Sequence, residues 1–169
     1  MDHLWSPWRS QYILSASEAA VSRSTEECFL CTAYQKPEHD AETFVVARFA
    51  ECYAILNRYP YNAGHLMIAP NAHIGELHAL PASTYHDMMS VVRIAERALV
   101  SAMRCHGMNI GINLGHSAGA GVPGHLHIHL VPRWNGDANF MPVIADVKLV
   151  SEAIHDTYSK IVHAFSSLI

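Results

Sequence analysis

The stretch that decides the fold reads His125-Leu126-His127-Ile128-His129-Leu130-Val131-Pro132-Arg133. Three histidines alternate with three aliphatic residues. Alternation at period two predicts a half-buried strand. The imidazoles then line one face, adjacent ones about 7 Å apart, while the aliphatic side chains pin the other face to a core. Histidine is frequent here, at 13 of 169 residues. Even so, that frequency yields only about 0.08 such triplets by chance, which makes a merely polar strand face the weaker reading. Imidazole is a nucleophile, a proton carrier and a metal ligand that titrates near neutrality. A row of three points to chemistry on an anionic or metal-bound substrate.

Outward from this stretch, strands are predicted at 43–49, 52–57, 65–70 and 109–114, with 125–131 as the fifth. A long helix is predicted over 81–106, where Met88, Val91, Val92, Ala95, Ala98, Leu99, Ala102 and Met103 make an apolar stripe at helical spacing. Pro81 suits its first turn, with Ser83 as the other N-cap candidate, and Gly107 reads as its stop. A final helix is expected over 147–165. Short turns between strands and one long helix imply an α+β domain with an antiparallel sheet.

Composition narrows the class. Half the residues are hydrophobic and 15% are charged, so the chain is globular, and 169 residues suit one domain. The net charge of −4 and the lack of a Lys/Arg cluster argue against a nucleic-acid partner. No run of about 18 apolar residues predicts a membrane span. The N-terminus lacks an apolar leader, and a reduced, cytoplasmic location is expected. Cys28-Phe29-Leu30-Cys31 offers two soft ligands at a common zinc spacing. A redox pair, or two core cysteines, are the other readings of that motif. Cys52 and Cys105 read as buried small hydrophobes, and His3, His39, His78, His86, His106, His155 and His163 as surface residues.

The triplet, with Leu56-Asn57-Arg58 and Gly64-His65-Leu66-Met67-Ile68-Ala69-Pro70, resembles the histidine triad (HIT) superfamily. The resemblance covers residues 28–134, leaving 1–27 and 135–169 as extensions of a single HIT-like domain over 1–169. Leu4-Trp5-Ser6-Pro7-Trp8-Arg9 and the stretch from Pro132 to Phe140 are similar to the bacterial diadenosine tetraphosphate phosphorylase-like branch. The resemblance implies a five-stranded antiparallel sheet with one long and one C-terminal helix, and a homodimer whose sheets join.

It also implies a reaction: nucleotidyl transfer or hydrolysis on dinucleoside polyphosphates such as diadenosine tetraphosphate. The middle histidine, His127, would attack phosphorus and carry a covalent nucleotidyl group, which water or phosphate then takes. His129 and His65 carry over as phosphate and leaving-group partners. Asn57 and Asn113 carry over as ribose and phosphate contacts, although Asn57 reads equally well as a turn cap. Ser117, Gly119 and Gly121 lie in a small-residue loop whose backbone N–H groups can face phosphate. Small hydrolases of the family have polar side chains where this chain has Gly121-Val122-Pro123-Gly124. That departure favours phosphate as acceptor. The resemblance further implies a structural zinc held by Cys28, Cys31, His73 and His125.

Three rival readings are a phosphoramidate or other nucleotide hydrolase of the family, a nucleotide-binding protein with little turnover, and a catalytic metal enzyme. In the last, His125, His127 and His65 would hold an open-site zinc.

Overall fold

The computed structural model describes residues 28–137 and 152–169. The aromatic head at 4–9, the rest of 1–27, the flank at 138–140 and the expected helix start at 147 lie outside them. Helix α1 (Phe29–Gln35) is followed by the short α2 (Asp40–Thr43), then strands β1 (Val45–Arg48), β2 (Cys52–Leu56) and β3 (Leu66–Pro70). The long helix α3 (Ala82–Met103) leads to β4 (Gly107–Ile112), β5 (Ile128–Arg133) and α4 (Ile154–Ser166). All strand pairs are antiparallel, in the order β1-β2-β3-β5-β4. The fold is the expected α+β class with five strands.

Alternation sorts the side chains onto two faces. Ala54, Leu56, Leu66, Ile68, Ile128 and Leu130 pack with Met88, Val91, Ala95 and Leu99 of α3 and with Ile161 and Phe165 of α4. Tyr53, Ile55, Met67 and Ala69 face the other way, against Cys28, Leu30 and Cys31. Both faces of β2 and β3 are therefore buried. His129 pairs across from Met67 and shares its face. The α3–α4 core occupies one side of the sheet, and the histidines share the other with the smaller apolar cluster packed on α1.

Several expected boundaries move. The long helix has Pro81 at its N-cap and no side-chain cap from Ser83. It ends with Arg104 in the left-handed conformation, φ 47°, rather than at Gly107, which opens β4. Strand β4 therefore sits two residues earlier than expected. Strand β5 begins at Ile128, so His125 and His127 precede its paired residues. The chain there is still tied to the sheet side, because the Leu126 N–H donates to the Ile74 carbonyl at 2.7 Å. Cys105 is half-buried rather than buried, while Cys52 is fully buried as expected. Among the described residues, no helix is long and apolar enough to cross a membrane.

Leu99 is wholly enclosed between sheet and helices. Leu99→Ala should cost about 3 kcal/mol of stability through lost burial and a residual cavity. Urea unfolding with an unchanged m-value checks this, and a loss below about 1 kcal/mol would show that the layer collapses freely.

Candidate active site and metal centre

His127 carries its own orientation in one hydrogen bond. Its Nδ1 lies 2.8 Å from the carbonyl oxygen of His125. A carbonyl only accepts, so Nδ1–H donates, and the neutral ring holds its lone pair on Nε2. His127 is only 6% exposed. Burial holds its pKa below the ordinary imidazole range, against a smaller opposing pull from that hydrogen bond. The ring is thus neutral near pH 7 with one nitrogen available for attack.

His65 and His129 meet beside it. Gly64 has φ +76°, and a Cβ there would stand 3.2 Å from Met103 Cγ and Pro132 Cγ, so this turn requires glycine. The turn brings His65 Nε2 within 2.9 Å of His129 Nδ1. The His127 and His129 rings are 4.7 Å apart, edge to face. Desolvation, with the neighbouring His127 ring adding to it, lowers His129 to about 4. Its Nε2 is buried without a hydrogen-bond partner among the described residues. The ring of Tyr61 stacks on His65 at 4.7 Å and reaches His129 at 5.9 Å.

Of the other expected nucleotide contacts, Asn57 reaches this group while Asn113 pairs within the glycine loop. Asn57 Oδ1 accepts the Tyr59 N–H at 2.9 Å, which is an Asx turn, and its Nδ2 faces His65 Nδ1 at 3.3 Å. Asn113 Nδ2 donates to the Gly119 carbonyl at 3.4 Å, bracing the loop that contains Ser117, Gly119 and Gly121. That loop is exposed up to Ala120. Val122 turns inward and packs against the Cys28 and Cys31 side of the sheet. The apolar residue in place of an expected polar contact thus joins the apolar surroundings of the two cysteines, which also belong to a cluster of metal-ligating side chains.

Cys28, Cys31, His73 and His125 form that cluster, with ligand atoms within 4.8 Å of one another. His125 Nε2 lies 2.9 Å from the Pro70 carbonyl, so Nε2–H donates and the Nδ1 lone pair is left for a metal. Nδ1 faces both sulfurs at 3.4 Å, and His73 Nδ1 is 3.2 Å from Cys31 Sγ. Tetrahedral zinc with ordinary bond lengths separates N and S by about 3.5 Å. The four residues fit such an ion and close its coordination. Burial, then the hydrogen bond and charge of Cys28, push the Cys31 thiol up to about 11, so a bound cation would have to displace its proton. His125 is lowered by burial to about 4, which keeps it in the ligating neutral form.

Three contributors escaped the sequence reading. Arg48 donates to the Ala33 and Tyr34 carbonyls at 2.8 Å each and pairs with Asp40. It thereby caps the C-terminal end of α1, the helix that carries Cys31. Tyr53 Oη donates to the Leu30 carbonyl at 2.8 Å and fixes the same helix from β2. Tyr61 stacks its ring on His65 from the turn that precedes it. Its one sequence signal is an aromatic ring four residues ahead of His65. Of the seven histidines expected at the surface, His3 lies outside the described residues and the other six are exposed.

With this geometry in place, the comparisons are specific. The HIT domain matches residues 38–136. The chain belongs to the HIT family. It is 39% identical over 161 residues to a protein of Mycobacterium tuberculosis named AP-4-A phosphorylase, covering 93% of this chain and 80% of that one. A bis(5'-nucleosyl)-tetraphosphatase [asymmetrical] of Schizosaccharomyces pombe is 32% identical over 84 residues, half of this chain and 46% of its own length. The crystal structure of a zinc-bound histidine triad family protein from Mycobacterium smegmatis superposes with TM-score 0.68 at 25% identity, covering 86% of this chain and 97% of that one.

A Cβ on Gly75 would stand 2.5 Å from the Pro123 carbonyl and 3.0 Å from Gly124 Cα, and Gly124 lies against His73. Gly75→Ala should therefore displace the loop that backs His73 and lower metal retention severalfold. Elemental analysis after dialysis against a weak chelator reads this, and wild-type metal content in the variant would contradict it.

Proposed function

We propose that this HIT enzyme transfers a nucleotidyl group from dinucleoside polyphosphates, diadenosine tetraphosphate being the model substrate, through a covalent nucleotidyl-His127 intermediate. The observation that carries this reading is the fixed Nε2 lone pair of neutral, buried His127 beside His129 and His65. The lone pair forms a P–N bond to the phosphorus that bears the nucleoside. The P–O bond to the remaining polyphosphate breaks, and its electron pair leaves with that oxygen. An acceptor oxygen then attacks the same phosphorus, the P–N bond breaks, and the imidazole is restored. His129 and His65 would contact the phosphate, with Asn57, Asn113 and the loop of Ser117, Gly119 and Gly121 around the nucleotide.

Phosphate is the acceptor we favour. Val122 is committed to packing, which leaves the loop without polar side chains at 121–124 to position water. The similarity to the mycobacterial phosphorylase points the same way. A second phosphate needs hydrogen-bond donors to offset its repulsion, a task for His65, His129, Ser117 and backbone N–H groups.

We assign zinc to Cys28, Cys31, His73 and His125. Bound there it supplies structure rather than a reactive water, because all four positions are protein ligands. His127 is not among them, which weighs against the catalytic-metal reading. A homodimer joined through β4 is supported by the position of that strand at the sheet edge, with Ile110 48% exposed.

His127→Ala should lose turnover by at least about a thousandfold while retaining nucleotide affinity. Steady-state kinetics with equilibrium binding checks both, and near-normal turnover would exclude the covalent route. With diadenosine tetraphosphate and phosphate, ADP and ATP should form. AMP should appear much more slowly when phosphate is omitted. AMP at the full rate without phosphate would identify a hydrolase and leave the His127 assignment standing.

A further inference from the structure

We propose that Asn57 and Tyr61 are positioning residues which, through His65, hold His129 as a hydrogen-bond donor toward the phosphate undergoing transfer. This rests on the nucleotidyl-transfer reading for the identity of the acceptor, though the tautomers themselves follow from the contacts.

The direction of the chain of bonds is fixed at its far end. The Tyr59 N–H donates to Asn57 at 2.9 Å, which identifies that amide atom as oxygen. The other amide atom is therefore NH2, and it faces His65 Nδ1 at 3.3 Å. The Tyr61 backbone N–H donates to the same Nδ1 at 3.1 Å. Two donors converge on one ring nitrogen, so His65 Nδ1 is the acceptor and Nε2 carries the proton. That proton points at His129 Nδ1, 2.9 Å away. His129 Nδ1 must accept it, and the proton of neutral His129 resides on Nε2. This Nε2–H is the buried atom without a partner among the described residues.

An unsatisfied buried donor costs stability, and here its ring lies 4.7 Å from that of His127. A non-bridging phosphoryl oxygen held for attack by His127 would give it a partner. The stacked Tyr61 ring covers the His65–His129 pair and keeps water from competing for the bond between them. Asn57 is thus not simply a ribose contact or a turn cap. Its oxygen holds the turn while its NH2 sets the polarity of two histidines.

The test is Asn57→Asp. The carboxylate keeps an acceptor for the Tyr59 N–H but replaces the NH2 donor with a second acceptor. The His65 proton then moves from Nε2 to Nδ1, where the carboxylate accepts it; His129 takes the Nδ1–H tautomer to donate to His65 Nε2, and the donor on its own Nε2 is lost. In 15N-histidine spectra of the wild type, His65 and His129 should both appear as Nε2–H tautomers, whereas the variant should show His65 carrying a proton on Nδ1. Its kcat should fall roughly 10- to 100-fold with KM changed less than threefold. Asn57→Ala, with an unchanged melting curve, should give a mixture of tautomers and an intermediate kcat. A raised KM at unchanged kcat would restore the ribose-contact role and overturn the proposal, as would wild-type tautomers in Asn57→Asp. The spectra need no substrate, so they judge the relay even if the wild type turns over none of the dinucleotides.

Discussion

One hydrogen bond joins the two halves of this site: His127 Nδ1–H to the carbonyl of His125, 2.8 Å long. The same His125 gives its Nε2–H to Pro70 and turns its Nδ1 toward two cysteines. A single residue therefore faces the two cysteines with its side chain and sets the tautomer of His127, the proposed nucleophile, with its backbone. Neutral histidine has two distinct tautomers in water, and only the Nδ1–H form leaves Nε2 free. Without this bond the lone pair would spend part of its time on the wrong nitrogen, and no placement of His65 or His129 could compensate.

The fold exists to hold that geometry. All apolar packing by α3 and α4 falls on one sheet face, and the other holds the histidines beside a second, smaller apolar cluster around Cys28 and Cys31. Burial then does chemical work. It keeps His125, His127 and His129 below their ordinary pKa values and hence neutral near pH 7. A charged imidazole could neither ligate a metal nor attack phosphorus. The cluster of Cys28, Cys31, His73 and His125 closes the cysteine end of the site, with Arg48 and Tyr53 bracing the helix that supplies Cys31.

Much of this was legible in the sequence because period two is robust. The alternation from His125 to Leu130 put three imidazoles on one face, and that holds even though hydrogen-bonded pairing begins only at Ile128. The α3 stripe was legible for the same reason at period 3.6. Boundaries were less so. Gly107 is as good a strand start as a helix stop, and the helix in fact ended on Arg104 in a conformation that side chains rarely adopt. Helix α1 has seven residues, too few to show a period. The role of Val122 depends on a tertiary contact, so its departure from the polar pattern could be seen but not explained. Asn57 and Tyr61 act through hydrogen-bond direction, which no residue type reports by itself.

The covalent intermediate is the claim on which the functional account turns. Its most direct measurement is a rapid acid-free denaturing quench of enzyme mixed with diadenosine tetraphosphate in the absence of phosphate, followed by peptide mass mapping. A single nucleotidyl group on the peptide containing His127, located on that imidazole, is the expected result. Turnover without any adduct, or an adduct confined to another side chain, would contradict it.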